Sequence, residues 1–212
     1  MPQQAFQICE RSYVDVFLGA YSCNRGKAGK FKQRSCIICA MSKYQILLLK
    51  MWRDLVINCL AASPLIPGRF RRFIYRSYGM TLGRSTFIWP RCFFCNSHFT
   101  IGDHCFVNYG CIFDNTEGSI SIGDGCFIST QVMFCTPTHE VGPQSRRAGA
   151  VAGESIIIGN GCWIGARALI LPGVVVGSGS IIGAGSVVTK NCESNGVYCG
   201  NPARLIRKLT SD

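Results

Sequence analysis

The sequence predicts an all-β protein whose short parallel strands wind round a triangular prism. An apolar residue opens each six: Ile101, Val107, Phe113, then Ile122, Ile128, Phe134, then Ile158, Ile164, Ile170, Val176, Ile182 and Val188. About half of an average chain is apolar, so an unbroken run of apolar openers is far from chance. Four places after each opener stands a second column, Cys105, Cys111, Glu117, Cys126, Val132, Thr138, Cys162, Ala168, Val174, Ser180, Ser186 and Cys192, small except for Glu117. Glycine follows the opener at Gly102, Gly123, Gly159, Gly165, Gly177 and Gly183, as tight corners require. With three sixes to a turn, residues about eighteen apart stack at the ~4.8 Å spacing of paired strands.

Ahead of the coil, residues 1–42 form a basic, cysteine-containing lead that matches no recognisable element, and Met41 is a second candidate for the native start. Residues 43–80 are a helical lead-in. Within it KYQILLLKMWRDLVINCLA (43–61) scans as a helix, with Lys43, Lys50, Asp54 and Asn58 on one narrow stripe and nearly everything else apolar. So wide an apolar arc must be covered, as a plug for the open end of the prism, by packing between copies of the chain, or at a membrane surface. Arg69, Arg71, Arg72 and Arg76 would assist the last. Residues 81–199 make the coil, with a loop at 140–157, and residues 200–212 a C-terminal helix. In that tail Asn201 is the expected N-cap and Pro202 the first helical residue. Arg204, Arg207 and Lys208 then share one face.

Charge is uneven along the chain. The net charge is +11, with 15 Lys and Arg against 3 Asp and Glu up to Arg91, and 7 against 8 beyond. A basic front suits acidic metabolites or membrane phosphates. Without a base-reading helix or an RNA-binding aromatic motif, it does not indicate nucleic acid. The apolar runs at Ser35–Met41 and Ile46–Leu60 are respectively too short and too interrupted by charge to span a bilayer. The 14 cysteines, with no signal peptide, read as reduced thiols of a cytoplasmic protein, one that could work at the inner face of the membrane. Five of them sit in the small inward column, as compact hydrophobes. The pairs Cys36–Cys39 and Cys92–Cys95 enclose apolar residues and lie far apart, and Cys95 continues the opener column, so no metal site is expected there.

The rhythm breaks twice. Phe113 to Ile122 is nine residues rather than six, and the pattern is lost over 140–157 just after His139. Both breaks follow the third strand of a turn, which places them on one edge of the prism. Interruptions clustered at one place point to a functional site. The second break is eighteen residues long, one full turn, so an extruded loop and an irregular coil both satisfy it.

The segment IGNGCWIGARALILPGVVVGSGSIIGAGSVV (158–188), TPTH (136–139), an Arg shortly after it (Arg146 or Arg147) and GNPARLIRKL (200–209) resemble the hexapeptide-repeat acyltransferases. Among these the likeness is greatest to sugar O-acetyltransferases of the maltose and galactoside type. It extends over roughly residues 80–209, and INCLAASPLIPGRFRRFIYRSYG (57–79) is similar to the front of many members. The resemblance implies a left-handed parallel β-helix, a homotrimer, acetyl-CoA as donor and active sites between subunits. Glu140 departs from the proline usual after the histidine.

Acetyl transfer to oxygen needs a base for the attacking hydroxyl, and imidazole, titrating near neutrality, suits that task. His139 is therefore the expected catalytic base in a direct transfer. By resemblance Asn108 and Asp114 bind the acceptor, while Trp163, Ala166 (through its N–H) and Ala184 line the donor pocket. Thr189 and Lys190 likewise match residues near the CoA arm, and the Arg204, Arg207 and Lys208 triplet suits the 3′-phosphate and pyrophosphate of CoA, or forms a solvated charged face. Asn108 and Asp114 could instead cap corners, and Trp163 could be packing. His98 and His104, six apart, diverge round the prism, so a three-histidine metal site is not expected. The acceptor is a sugar or glycan, a lipid-linked one included. A hydroxylated antibiotic of the streptogramin type, serine, or a non-catalytic β-helix scaffold are the alternatives.

Overall fold

The computed structural model describes residues 43–210; the basic lead 1–42, with Cys36 and Cys39, and the last two residues lie outside them. The chain divides after Leu55. Before the division, the helix Lys43–Asp54 carries exposed Leu47, Leu48, Met51 and Trp52. At the division the winding widens to a π-helix over Leu55–Ala61. A second α-helix follows at Gly68–Ser77.

Strands of two or three residues then make successive coils. The first coil is β1 (Thr81–Leu82), β2 (Phe87–Ile88) and β3 (Phe93–Phe94), and the second β4 (Phe99–Ile101), β5 (Phe106–Val107) and β6 (Ile112–Asp114). The third is β7 (Ile120–Ile122), β8 (Phe127–Ile128) and β9 (Met133–Cys135). An antiparallel hairpin of β10 (Pro137–Val141) and β11 (Ala148–Gly153) intervenes. The fourth coil is β12 (Ile156–Ile158), β13 (Trp163–Ile164) and β14 (Leu169–Ile170), and the fifth β15 (Val175–Val176), β16 (Ile181–Ile182) and β17 (Val187–Val188). The chain ends in β18 (Gly196–Gly200) and β19 (Ala203–Lys208). Parallel pairing stacks these into face A (β1-β4-β7-β12-β15), face B (β2-β5-β8-β13-β16-β18, with β19 antiparallel at its edge) and face C (β3-β6-β9-β14-β17). The result is a left-handed parallel β-helix.

All twelve openers are buried, and Leu82, Ile88 and Phe94 extend their column back by one coil. Phe94, Phe113 and Phe134 stack at 4.7 and 5.1 Å between ring centroids, filling the prism under face C. Phe94, not Cys95, holds the opener position, because seven residues separate it from Ile101; Cys95 is half-buried. Glu117 and Thr138 likewise lie outside the inward column. The longer C/A corners turn Asn115 and Thr136 inward instead. Asn115 is accommodated by reciprocal bonds to Asn96, including Asn115 Nδ2 to Asn96 Oδ1 at 2.8 Å.

The inward cysteines do more than fill space. Cys105, Cys126 and Cys162 donate their thiols to the carbonyls of Gly123 (3.0 Å), Gly159 (3.0 Å) and Gly177 (3.2 Å), one coil further on. Thr86 and Ser180 close the same column with hydroxyl donors to Gly102 O and Glu193 O. The column therefore selects a small side chain that carries one weak donor.

A prism of parallel strands leaves a triangular rim of unpaired backbone at each end. At the front, polar side chains of the lead-in cover it face by face. Arg76 donates to Leu82 O (2.6 Å) on face A and Arg72 to Thr86 O (3.3 Å) beside face B. Asn58 both donates to Phe94 O (3.1 Å) and accepts from Phe94 N (3.0 Å) on face C. Buried Arg71 reaches Ile88 O (2.9 Å) and three further carbonyls, of Ala61, Ser63 and Ile66. These arginines satisfy orphaned carbonyls, so Arg71 in particular is not available to a membrane surface.

At the back, the expected C-terminal helix is a strand. β19 folds onto β18 with Cys199 opposite Arg204 and Val197 opposite Arg207, and Asn201-Pro202 forms the turn between them. The strand covers the open edge of β18 with its own backbone, a gain a detached helix could not offer. The three cations consequently do not share a helix face. Lys208 pairs with Glu193 at 2.6 Å, while Arg204 lines a separate cleft with Lys190.

Candidate active site

The coil has three edges, named here by the faces they join. β12 pairs directly with β7, Ile158 beside Ile122, so the eighteen residues between coils are extruded and not wound. The extrusion leaves the C/A edge as the β10–β11 hairpin. Its root packs on the earlier interruption: a side chain at Gly153 would meet Glu117 and, at 2.8 Å, Thr136 O. Ser119 N donates to Ser155 Oγ across the same junction (3.0 Å). The two breaks in the rhythm thus touch.

His139 lies on β10 opposite Val151 of β11, with its ring exposed. Its Nδ1 is 3.3 Å from Gly149 O. A carbonyl only accepts, so in the neutral ring Nδ1 carries the proton and the Nε2 lone pair is left for another partner. Asp114 sits on β6 beside Cys135 of β9, on the same edge. Its carboxylate accepts from Thr116 Oγ1 at 2.8 Å, the local bond of a corner cap. Burial, then that carboxylate, raises the Cys135 thiol above its ordinary pKa.

The A/B and B/C edges differ in how they treat their backbone. On A/B the middle N–H of the first four corners is met by a side chain of the next coil. Arg84 N finds Asp103 Oδ1 (2.5 Å), Asp103 N finds Asp124 Oδ1 (2.7 Å), Asp124 N finds Asn160 Oδ1 (2.9 Å) and Asn160 N finds Ser178 Oγ (3.1 Å). On B/C the corresponding positions are Pro90, which has no N–H, Tyr109, whose N–H is met by Asn108 Oδ1, and then Thr130, Ala166 and Ala184, and alanine offers no acceptor to the coil before it. The flanking groups are bonded, Gly165 N to Ile182 O, Arg167 N to Thr130 O and Gly185 N to Ala166 O. Among the described residues the N–H groups of Ala166 and Ala184 have no such partner. A row of open N–H donors suits a carbonyl-bearing or oxyanionic ligand.

Trp163 stands on this side, on the outer surface of face B. It is 52% exposed, with Nε1 donating to Ser129 Oγ at 3.2 Å, so it does not pack in the core. Asn108 is at the same edge, its Oδ1 accepting from Tyr109 N at 2.9 Å. Ser129 escaped the sequence reading. It sits one place after its opener, as Asn108 does, and only the 36-residue offset created by the hairpin hides its stacking against Gly165.

One chain therefore splits the predicted site. Asn108, Trp163, Ala166 and Ala184 fall on the B/C edge, and His139 and Asp114 on C/A. Thr189 and Lys190 belong to C/A as well, past β17, where Lys190, Tyr198 and Arg204 line a cleft of about 290 Å³. Arg207 lies opposite Val197 on face B, outside that cleft. Face C stands between the two edges. Among the described residues no three His, Cys, Asp or Glu side chains converge as metal ligands.

The profile of the bacterial transferase hexapeptide family (six repeats) matches residues 155–190. Galactoside O-acetyltransferase of Escherichia coli is 33% identical over 140 residues, 66% of this chain and 68% of that protein. An acetyltransferase of the same organism named for colanic acid biosynthesis is 32% identical over 161 residues, 76% of this chain and 86% of that one. A Schizosaccharomyces pombe protein named as an acetyltransferase is 40% identical over 117 residues, and that match spans only 55% of either chain. Among solved structures, a hexapeptide-repeat acetyltransferase of Vibrio cholerae complexed with acetyl-CoA superposes with a TM-score of 0.71 at 26% identity, over 80% of this chain and 92% of that one. Galactoside acetyltransferase in complex with coenzyme A gives 0.70 at 27% identity, over 80% and 84%. Coil, interrupted edge and sequence likeness agree: the chain belongs to the hexapeptide-repeat acetyltransferases.

Proposed function

We propose that the protein transfers an acetyl group from acetyl-CoA to a hydroxyl of a sugar or glycan, directly, with His139 as general base. The observation that carries this is the Nδ1 contact with Gly149 O on the interrupted edge, which in the neutral ring assigns the proton to Nδ1 and leaves the Nε2 lone pair for the hydroxyl. Nε2 takes the hydroxyl proton as the oxygen attacks the thioester carbonyl carbon. The Ala166 N–H faces the oxyanion that forms. The C–S bond then breaks, and the departing thiolate receives the proton back from the imidazolium. Lys190 and Arg204 supply cations for the donor's phosphates. The relatives named for galactoside and colanic acid favour a carbohydrate acceptor over serine or an antibiotic.

Because His139 and the B/C edge are apart in one chain, the site is shared between copies, with the C/A edge of one against the B/C edge of the next. An exposed apolar ladder on face B, Phe87, Phe127 and Trp163 in register, supports such a contact. The trimer implied by the resemblance would provide it. His139→Ala should lower turnover about 10²–10⁴-fold while leaving the far-ultraviolet circular dichroism unchanged. Co-expressing His139→Ala with Asn108→Ala subunits should restore part of the activity, since mixed assemblies regain intact sites. A mixture no more active than its components would refute the shared site.

A peripheral membrane contact, through the exposed apolar residues of the helix Lys43–Asp54, would suit a lipid-linked acceptor. Co-sedimentation with anionic liposomes tests it. Among the described residues no helix is long and apolar enough to cross a membrane.

A further inference from the structure

At the front end of the B/C edge, Trp89 and Tyr109 border a cleft of about 590 Å³ that the transfer chemistry leaves unused. Their rings meet edge to face, with centroids 5.3 Å apart at 89°, and are 36% and 48% exposed. Pro64 walls one side, and Arg91, Thr130 and Gln131 supply polar groups. The volume lies within the roughly 300–1,000 Å³ of small-molecule sites, with the usual mixture of aromatic walls and a few convergent polar groups. A sugar ring has an apolar C–H face and a polar rim, and two perpendicular aromatic planes beside hydrogen-bonding side chains complement it.

Backbone conformation singles out the same edge. On A/B the left-handed corner positions hold Ser85, His104, Gly125, Gly161, Gly179 and Asn195, mostly small or otherwise tolerant residues. On B/C they hold Gly110 and Gly185 but also Arg91 (φ 61°), Gln131 (φ 57°) and Arg167 (φ 59°). Each long side chain in that region costs about 1–2 kcal/mol, a strain that collects where a ligand is handled. Arg167 Nε is tied to Gln131 Oε1 at 2.9 Å. Arg91 uses its backbone N–H on Ala62 O (2.8 Å), and its guanidinium has no hydrogen-bond or ion-pair partner among the described residues.

We propose that this cleft is a distal acceptor subsite holding a neighbouring sugar residue of an anionic glycan, with the ring against Trp89 and Tyr109 and a carboxylate on Arg91. The proposal rests on the glycan reading above and deepens it. Tyr109 adjoins Asn108, and Thr130 adjoins the Ser129 that holds Trp163, so the subsite continues the edge assigned to transfer.

The test omits the donor. The full chain is titrated by calorimetry with tetragalacturonate, a hyaluronan tetrasaccharide and maltotetraose. The wild type should prefer the uronates, Trp89→Ala should weaken their binding about 10-fold, and Arg91→Ala should erase the preference over maltotetraose. Unaltered binding by Trp89→Ala, or equal affinity for uronate and neutral sugars in the wild type, overturns the proposal. So does a change of molar mass in Trp89→Ala, by light scattering, with no effect on saccharide binding, because a second copy would then own the cleft. Since no acetyl donor is present, a failure to acetylate any sugar would defeat the reaction proposed above and leave this measurement standing.

Discussion

Two buried polar residues of the front helix, Arg71 and Tyr75, show opposite kinds of polar burial. Arg71 pairs with no carboxylate among the described residues, and its charge is distributed over four backbone carbonyls. Removing the guanidinium strands those oxygens in a dry place, so Arg71→Met should lower stability by about 3 kcal/mol or more. The urea midpoint would measure it. Tyr75 is fully buried, and its hydroxyl has no hydrogen-bond partner among the described residues. Burial pushes that phenol well above its ordinary pKa. The ring lies tilted against Phe94, 5.0 Å between centroids, and supplies the packing. Tyr75→Phe should therefore be neutral or stabilising by about 0–1 kcal/mol. The sequence placed both residues in the helical lead-in, but nothing local distinguishes an arginine that caps a sheet from one that faces solvent.

Among the elements, the contrast between edges matters most. The A/B edge is a ladder in which the middle N–H of four successive corners, Arg84, Asp103, Asp124 and Asn160, is satisfied by a side chain of the coil beyond. Asp124→Ala removes the acceptor for Asp103 N and should cost about 1 kcal/mol, a deficit that thermal unfolding would register. The hairpin is the other decisive element. The sequence located its beginning, because the apolar rhythm stops at His139, but a count of eighteen residues fits a wound turn and an extruded loop equally. Pairing of β12 with β7 decides between them. The tail was misread for a related reason. Arg204, Arg207 and Lys208 have helical spacing, and the open edge of β18 outweighs that preference by offering backbone partners at each step.

In the whole molecule, the stacked column of thiols and hydroxyls makes stability sensitive to alkali. Burial pushes the Cys192 thiol from 9.0 up to about 11. A thiol that holds its proton more tightly when folded contributes stability that is complete below about pH 9 and lost as pH rises towards 11. Urea midpoints at pH 8 and pH 10.5 should differ, with the lower value at pH 10.5, and Cys192→Ser should narrow the difference. By itself the sequence determined the coil, its inward openers and the edge where the rhythm fails, because burial with a period of six is written locally and repeats too often to be accidental. Tertiary structure alone decided that the second interruption is extruded, that the tail is a strand, that the front arginines cap the rim, and that His139 and the B/C residues occupy different edges. Each of these depends on which backbone groups remain unpaired once the coil has closed, and no residue's immediate neighbours in sequence carry that information.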